Sequence, residues 1–209
     1  NTAFGYNAVG ANITGVQNVG VGVDALLLTT GSRNTGLGSY TLQANTSAND
    51  NTAVGNQAMY ANTTGADNTA VGANALDANT TGIDNVAVGK SALGVSTTGQ
   101  RNAALGTLSL DACTTGSNNV GVGYESLSAN TTGASNVAVG YLALWKNTTA
   151  ANNTAVGNSA GQEITTGASN TAVGKSASPA LTTGAENTCI GSSTAEGLTS
   201  GGNNICIGL

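Results

Sequence analysis

The chain has 209 residues and a net charge of −5, and only 7 % of its residues are charged. So few cations form no basic patch, which argues against binding to nucleic-acid phosphates. The sequence contains no His, the commonest general base and metal ligand, and no apolar run approaches the length of a membrane span. Catalysis, cofactor binding and membrane insertion by this segment are therefore disfavoured.

An asparagine recurs every 17 residues along the whole chain, and only the step from Asn18 to Asn34 is shorter, by one residue. The recurring residues are Asn1, Asn18, Asn34, Asn51, Asn68, Asn85, Asn102, Asn119, Asn136, Asn153, Asn170, Asn187 and Asn204. A strict period near 20 residues is typical of a solenoid in which each repeat is one coil stacked on the last. Residues 1–209 are therefore predicted to form one repeat domain.

Each coil follows the consensus NTAVGxxALxxNTTGxx, and we number its positions from the Asn at position 0. Position +4 is Gly in every copy, which indicates a positive φ or a backbone approach too close for a Cβ. Position +3 carries Val, Leu or Ile in every copy except the first, which has Phe4, and position +8 is mostly Leu. We expect the +3 and +8 rows to form the core.

All fifteen charged residues fall at positions +5, +6, +9, +10 and +16 of the coil. Charged side chains are almost never fully buried without partners. These five positions are therefore predicted to face water.

The segment from position 0 to +3 is too short for a helix and is rich in Thr, Val and Ala, so it predicts a strand. A second short strand is expected at +7 and +8, with TTGxx as the return turn and a positive φ at its Gly. Two Gly per coil and a β-branched pair at +12 and +13 disfavour helix. The predicted fold is an all-β parallel β-solenoid of 17-residue coils, about 12 in number, with a length of roughly 55 to 60 Å.

The invariant Asn row is predicted to be structural. An inward Asn can hydrogen-bond to the Asn above and below it, which satisfies both donor and acceptor along the stack. Glycosylation sequons also recur at position +11, and we attribute them to copying of the repeat. They lie at Asn12, Asn45, Asn62, Asn79, Asn130 and Asn147.

The three cysteines do not make a disulfide framework. Cys189 and Cys206 share position +2 on consecutive coils, where a disulfide is conceivable, although parallel neighbours often strain its dihedral angle. Small buried thiols in place of Ala are the favoured interpretation. Asp50, Asp67 and Asp84 form a column at +16, which we interpret as a solvated acidic edge in preference to a cation site.

The NTAVG, AL and NTTG elements, as in Asn51–Gly65 and Asn68–Gly82, resemble repeats of phage tail fibres and large bacterial surface proteins. They are also similar to the SVAIG-type repeats in the heads of trimeric autotransporter adhesins. The resemblance implies a left-handed parallel β-roll, association of three chains around an axis, and attachment without catalysis. The coil here is longer than in those heads, and no stalk, anchor or chaperone domain is visible.

Thin apolar burial per coil also favours association, and we expect a homotrimer. The favoured function is the structural rod of an extracellular fibre or adhesin, a segment of a longer protein on a virion or bacterial cell surface. An ice-binding solenoid is the alternative, because the chain is regular and rich in Thr; adjacent Thr at +12 and +13 should, however, point to opposite faces.

The candidate contact with a cell-surface glycan or protein receptor is the aromatic group Tyr124, Tyr141 and Trp145. Tyr124 and Tyr141 share position +5 on consecutive coils, and Trp145 lies across the next corner. Exposed rings can stack on sugars. The alternative is that these rings clamp neighbouring coils together.

Overall fold

A computed structural model describes residues 1–208 and shows a parallel β-solenoid. Each coil contributes one three-residue strand at positions +1 to +3, and there is no helix within the described range. The strands are β1 Thr2–Phe4, β2 Val19–Val21, β3 Thr35–Leu37, β4 Thr52–Val54, β5 Thr69–Val71, β6 Val86–Val88, β7 Ala103–Leu105, β8 Val120–Val122, β9 Val137–Val139, β10 Thr154–Val156, β11 Thr171–Val173, β12 Thr188–Ile190 and β13 Ile205–Ile207.

The strands form one 13-stranded parallel sheet in which each strand pairs with the next along the chain. Thr52 lies opposite Thr69, and Val54 lies opposite Val71, so the sheet register equals the sequence period. The predicted stacking of 17-residue coils and the first strand are confirmed.

The one short coil keeps the sheet register, because Val19 still lies opposite Thr35. The missing residue is absorbed in the return turn, at position +13. There the amides of Thr30 and Gly31 both donate to the carbonyl of Thr46, at 2.6 and 3.1 Å.

The interior is lined by positions +2, +7 and +8, together with the Asn row and position +11. Ala87 at +2, Ala92 at +7 and Leu93 at +8 are each fully buried. The narrow space between the sheet and the opposite wall explains why +2 is always Ala, Gly or Cys. The +8 row is confirmed as core.

The prediction that the +3 row is core is wrong. Val88, Leu105 and Ile190 are 38 to 41 % exposed. Side chains alternate across a strand, so an inward +2 puts +1 and +3 outward on the same face. Apolar character at +3 reflects β propensity and an uncovered surface.

The predicted second strand at +7 and +8 is also wrong, because positions +5 to +10 form a continuous turn. Positions +6 and +8 have left-handed backbone even where the residue is bulky, as in Asn74 (φ 57°) and Leu76 (φ 51°). This arc still bonds to both neighbouring coils. The Asn74 amide donates to Asn56 O at 3.0 Å, and the Leu76 amide donates to Ala92 O at 3.0 Å.

The two Gly rows serve different purposes. Every Gly at +4 has φ between 119° and 150°, and a Cβ on Gly55 would lie 2.6 Å from Gly72 O. The Gly at +14 does not have the predicted positive φ; a Cβ on Gly99 would instead lie 2.6 Å from Gly116 O. Ala48 and Ala150 occupy the same +14 row, so the restriction there is weaker. The left-handed residue of the return turn is at +16, as in Asp67 (φ 60°).

Candidate functional site

The Asn row at position 0 forms the predicted ladder. The backbone amide of Asn68 and its side-chain Nδ2 both donate to Asn51 Oδ1, at 3.0 and 3.2 Å. The same Nδ2 donates to Gly82 O at 2.9 Å. Both Asn side chains are fully buried, so each ties its own return turn to its own strand and to the coil before it. The row is structural, and from Asn18 to Asn187 it is buried and has no surface from which to contact a ligand.

A second, shorter ladder runs along position +11, which the sequence analysis treated only as a set of sequons. Asn79 Nδ2 donates to Asn62 Oδ1 at 2.8 Å, and Asn62 Nδ2 donates to Asn45 Oδ1 at 3.3 Å. These side chains are fully buried, so a glycosyl donor has no access to them in the folded chain. One sequence signal could have predicted that +11 is buried. Position +11 carries only Asn, Thr, Ser, Cys, Ile or Leu, and never a charged residue.

Tyr124 and Tyr141 stack on each other, with ring centroids 5.7 Å apart and planes 13° apart. Both remain about half exposed. The neighbouring Glu125 carboxylate raises the pKa of Tyr124, both as a hydrogen-bond acceptor for the phenol and through its charge. The stacked pair ties consecutive coils together, which is the clamping alternative, while leaving ring edges and hydroxyls at the surface.

Trp145 is half-buried and lies on the next part of the arc. Lys146 Nζ is 5.6 Å from its ring centroid and 2.6 Å from Glu163 Oε2. The three candidate aromatic residues therefore divide into a Tyr pair and a separate Trp, Lys and Glu group. An exposed ion pair of this kind contributes about 0.2 to 1 kcal/mol.

The +16 edge carries charge of both signs. Arg33 donates two hydrogen bonds to the Asp50 carboxylate, at 2.6 and 2.7 Å. The guanidinium hydrogen bond lowers the pKa of Asp50. Among residues 1–208, no three His, Cys, Asp or Glu residues are grouped in a way that could hold a metal ion. In the column of Asp50, Asp67 and Asp84, the first carboxylate is therefore already paired with Arg33.

All three cysteines are free thiols in the described part of the chain. Cys113 and Cys189 are buried, and burial raises the pKa of Cys113 to about 11 and also raises the pKa of Cys189. Such thiols are poor nucleophiles. The structure therefore agrees with a small buried thiol in place of Ala at Cys189, whereas Cys206 at the same position of the last coil is only half-buried.

Threonine occupies two adjacent columns with different roles. The +12 hydroxyl donates to the next coil, as in Thr63 Oγ1 to Thr80 O at 2.9 Å, whereas Thr64, Thr81 and Thr98 at +13 are exposed. The +12 column is thus half-buried and bonded between coils, whereas the +13 column is open to solvent.

A uniform surface runs along the outer side of the sheet, of which only the +3 column had been predicted to be core. Its two columns are positions +1 and +3 of β1 to β13, and we call it the outer sheet face. Position +1 carries Thr, Val, Ala or Ile, position +3 carries Val, Leu, Ile or Phe, and no charged residue occurs in either. The sequence pattern that indicates the outer sheet face is a small residue at +2, which points inward, between mostly β-branched residues at +1 and +3, which point outward.

Comparison of the chain with protein-family models, with curated proteins and with solved structures gives no match. Within residues 1–208 the structure has no helix that is long and apolar enough to cross a membrane.

Proposed function

We propose that the chain is the structural rod of an extracellular fibre or adhesin, part of a longer protein on a virion, as in a phage tail fibre, or on a bacterial cell surface. The observation that carries the proposal is the unbroken 13-stranded sheet, in which every coil repeats the same contacts. A repeat array of this kind extends in one dimension without a change in local structure. Such an object spaces an attachment site from its anchor.

Three finer features of the proposal come from the resemblance to adhesin head repeats. They are a left-handed coil, association as a homotrimer, and attachment to a glycan or protein receptor without catalysis. The exposed edges of Tyr124 and Tyr141, together with Trp145 from its separate group, are the proposed receptor contact within this segment, because aromatic rings and hydroxyls suit sugar binding.

Antibodies raised against the purified 209-residue chain test the rod proposal. In immuno-electron microscopy of the source cells and of virus particles grown on them, we expect labelling of thin projections at the cell or virion surface. Labelling confined to the cell interior would contradict the proposal. Binding to glycan arrays tests the aromatic contact separately. If a Tyr124→Ala, Tyr141→Ala double variant binds the arrays as the parent does, the two Tyr rings are not the receptor contact.

Ice binding is the second candidate, and one observation favours it. Thr at +1 and Val at +3 lie side by side on the outer sheet face in two pairs of consecutive coils, β4 with β5 and β10 with β11. Each pair gives a regular array of methyl and hydroxyl groups on one surface. Against it, +1 has no Thr in six of the thirteen strands.

Thermal hysteresis at millimolar protein concentration separates the two functions. A rod should show none. An ice binder should show hysteresis that is lost when the face it uses is disrupted, either by Thr64→Tyr, Thr81→Tyr and Thr98→Tyr at +13 or by Thr52→Tyr and Thr69→Tyr on the outer sheet face. Hysteresis lost in one of these variants would replace the rod proposal.

A further inference from the structure

We infer that the outer sheet face is the surface through which copies of this chain associate. The inference builds on the proposed fibre, in which the rod is a homo-oligomer, and it identifies the contact surface. Its starting point is exposure: Val86, Val88 and Leu105 are 38 to 41 % exposed although they are large and apolar. In each strand, +1 and +3 point to the same side, away from the interior.

The face is uniform from end to end. All fifteen charged residues lie at other positions of the coil, so this side of the rod is a continuous strip of methyl-bearing side chains with some Thr hydroxyls. Soluble monomers rarely expose contiguous apolar patches larger than a few hundred Å². A strip that extends along every coil therefore predicts a covering partner.

The size of the strip suits a specific interface. Twelve steps of about 4.8 Å give a length of roughly 58 Å, and two outward columns about 7 Å apart give a width near 10 Å with their side chains. The resulting area is about 600 Å² per chain. Two such faces together bury about 1,200 Å², which is at the lower end of the range for stable interfaces.

A further copy of the same chain fits this strip better than an unrelated partner. Every copy presents the same columns at the same spacing of about 4.8 Å, so copies that lie parallel match layer by layer along the whole length. Because the face carries no charge, it does not select a partner of opposite sign. In a trimer, three such sheets facing a common axis would place one +1 and one +3 side chain from each chain in every layer.

The test compares two triple variants of the full chain. The first is Val71→Lys, Val88→Lys and Leu105→Lys, all at +3. The matched control is Asn56→Lys, Ala73→Lys and Thr107→Lys, all at the exposed +5 position, which already holds Lys90 and Lys175. Equilibrium sedimentation measures association, and circular dichroism confirms the fold.

We expect the parent and the +5 variant to associate equally, and the +3 variant to be a folded 20.1 kDa monomer. A parent that is a folded monomer at all concentrations, or a +3 variant that associates as the parent does, overturns the inference. A monomeric parent with thermal hysteresis would assign the face to ice. A monomeric parent that labels surface fibres in immuno-electron microscopy would leave the fibre proposal standing without this interface.

A second measurement covers the case in which the +3 triple variant does not fold. Val88→Cys and Lys90→Cys are made singly, two residues apart, in a Cys206→Ala background, because Cys206 is a half-buried free thiol, and each variant is reacted with a water-soluble maleimide. We expect Cys at position 88 to be at least tenfold slower to react in concentrated than in dilute protein, and Cys at position 90 to react equally in both. Equal rates at position 88 would contradict the inference.

Discussion

Ala87 and Val88 are neighbours in β6, yet Ala87 is fully buried and Val88 is 38 % exposed. Their opposite directions define the inside and the outside of the coil. Ala87→Asp would place a charge among packed Ala and Leu side chains and should cost several kcal/mol of unfolding free energy. Val88→Asp should cost only about 1 kcal/mol in the single chain, through lost β propensity.

Urea unfolding at low protein concentration measures both variants of this pair. Low concentration matters because Val88 also lies on the outer sheet face. Equal losses of stability would mean that the inward and outward assignments are mistaken.

The Asn ladder should be the most sensitive polar element of the rod. Asn85 donates to Asn68 Oδ1 and Gly99 O, and it accepts from the backbone and side chain of Asn102. Asn85→Ala would leave several buried groups without partners, at about 1 to 3 kcal/mol each. We expect a total loss of about 3 to 5 kcal/mol in thermal or urea unfolding.

The control for the ladder is Asn158→Ala, at the exposed +5 position. A surface change of this kind should stay within about 0.5 kcal/mol. If both Asn variants unfold at the same temperature, the ladder does not stabilise the coil.

The Gly at +4 should not tolerate a side chain. In Gly55→Ala the new Cβ would meet Gly72 O at 2.6 Å, on a backbone with φ of 128°. We expect a loss of about 3 kcal/mol or more, because both crowding and backbone strain oppose the change.

Gly94→Ala is the matched control, since Gly94 is at +9, where other coils carry larger residues and the nearest new contact is 3.2 Å. It should be neutral or stabilising by about 0.5 kcal/mol, through reduced freedom of the unfolded chain. Comparable destabilisation by both substitutions would show that the +4 row is not specifically crowded.

Asp111 gives the rod a predictable pH dependence. Burial raises the pKa of its carboxyl, and the nearby Glu125 charge adds to this, while backbone amides partly oppose it. Its Oδ1 is buried and has no hydrogen-bond partner among the described residues. The folded chain therefore binds this proton more tightly than the unfolded chain does.

Stability from the protonated form is present below the ordinary pKa of 3.8 and is lost as pH rises through the higher folded value. Asp111→Asn should therefore raise stability at pH 7 and have little effect at pH 3, in urea unfolding at both values. Asp84→Asn removes the same charge at an exposed +16 position and serves as the control. A destabilised Asp111→Asn variant at pH 7 would contradict this assignment.

The sequence predicted the solenoid, the strand and the Asn ladder because strict periodicity reports what every coil must share. The Asn at position 0, as in Asn68, recurs because its hydrogen bonds require that side chain, and the Gly at +4, as in Gly55, recurs because close packing leaves no room for a Cβ. The charged residues predicted the exposed positions +5 and +16 for an equally simple reason, the cost of burying charge, whereas the other charged positions, +6, +9 and +10, are mostly half-buried.

The sequence did not predict which side of the strand faces inward. Val88 at +3 is as apolar as Leu93 at +8, so hydrophobicity alone places both in the core. A strand of only three residues is too short for an alternating pattern that would show which of its side chains point inward. The left-handed backbone of Leu76 was not predicted either, because Leu rarely adopts a positive φ unless the surrounding structure forces it. The candidate aromatic residues were predicted as one group, but contacts between coils divide them.

The chain is a modular rod in which every coil pairs with the next in the same register, and lengthening the rod tests this most directly. Residues 68–135 comprise four complete coils, and a second copy inserted after residue 135 should stack in register. Small-angle X-ray scattering should then show a particle longer by about 19 Å, at about 4.8 Å per coil, with an unchanged cross-section. A wider particle, or an insert that scatters as unfolded chain, would contradict the account.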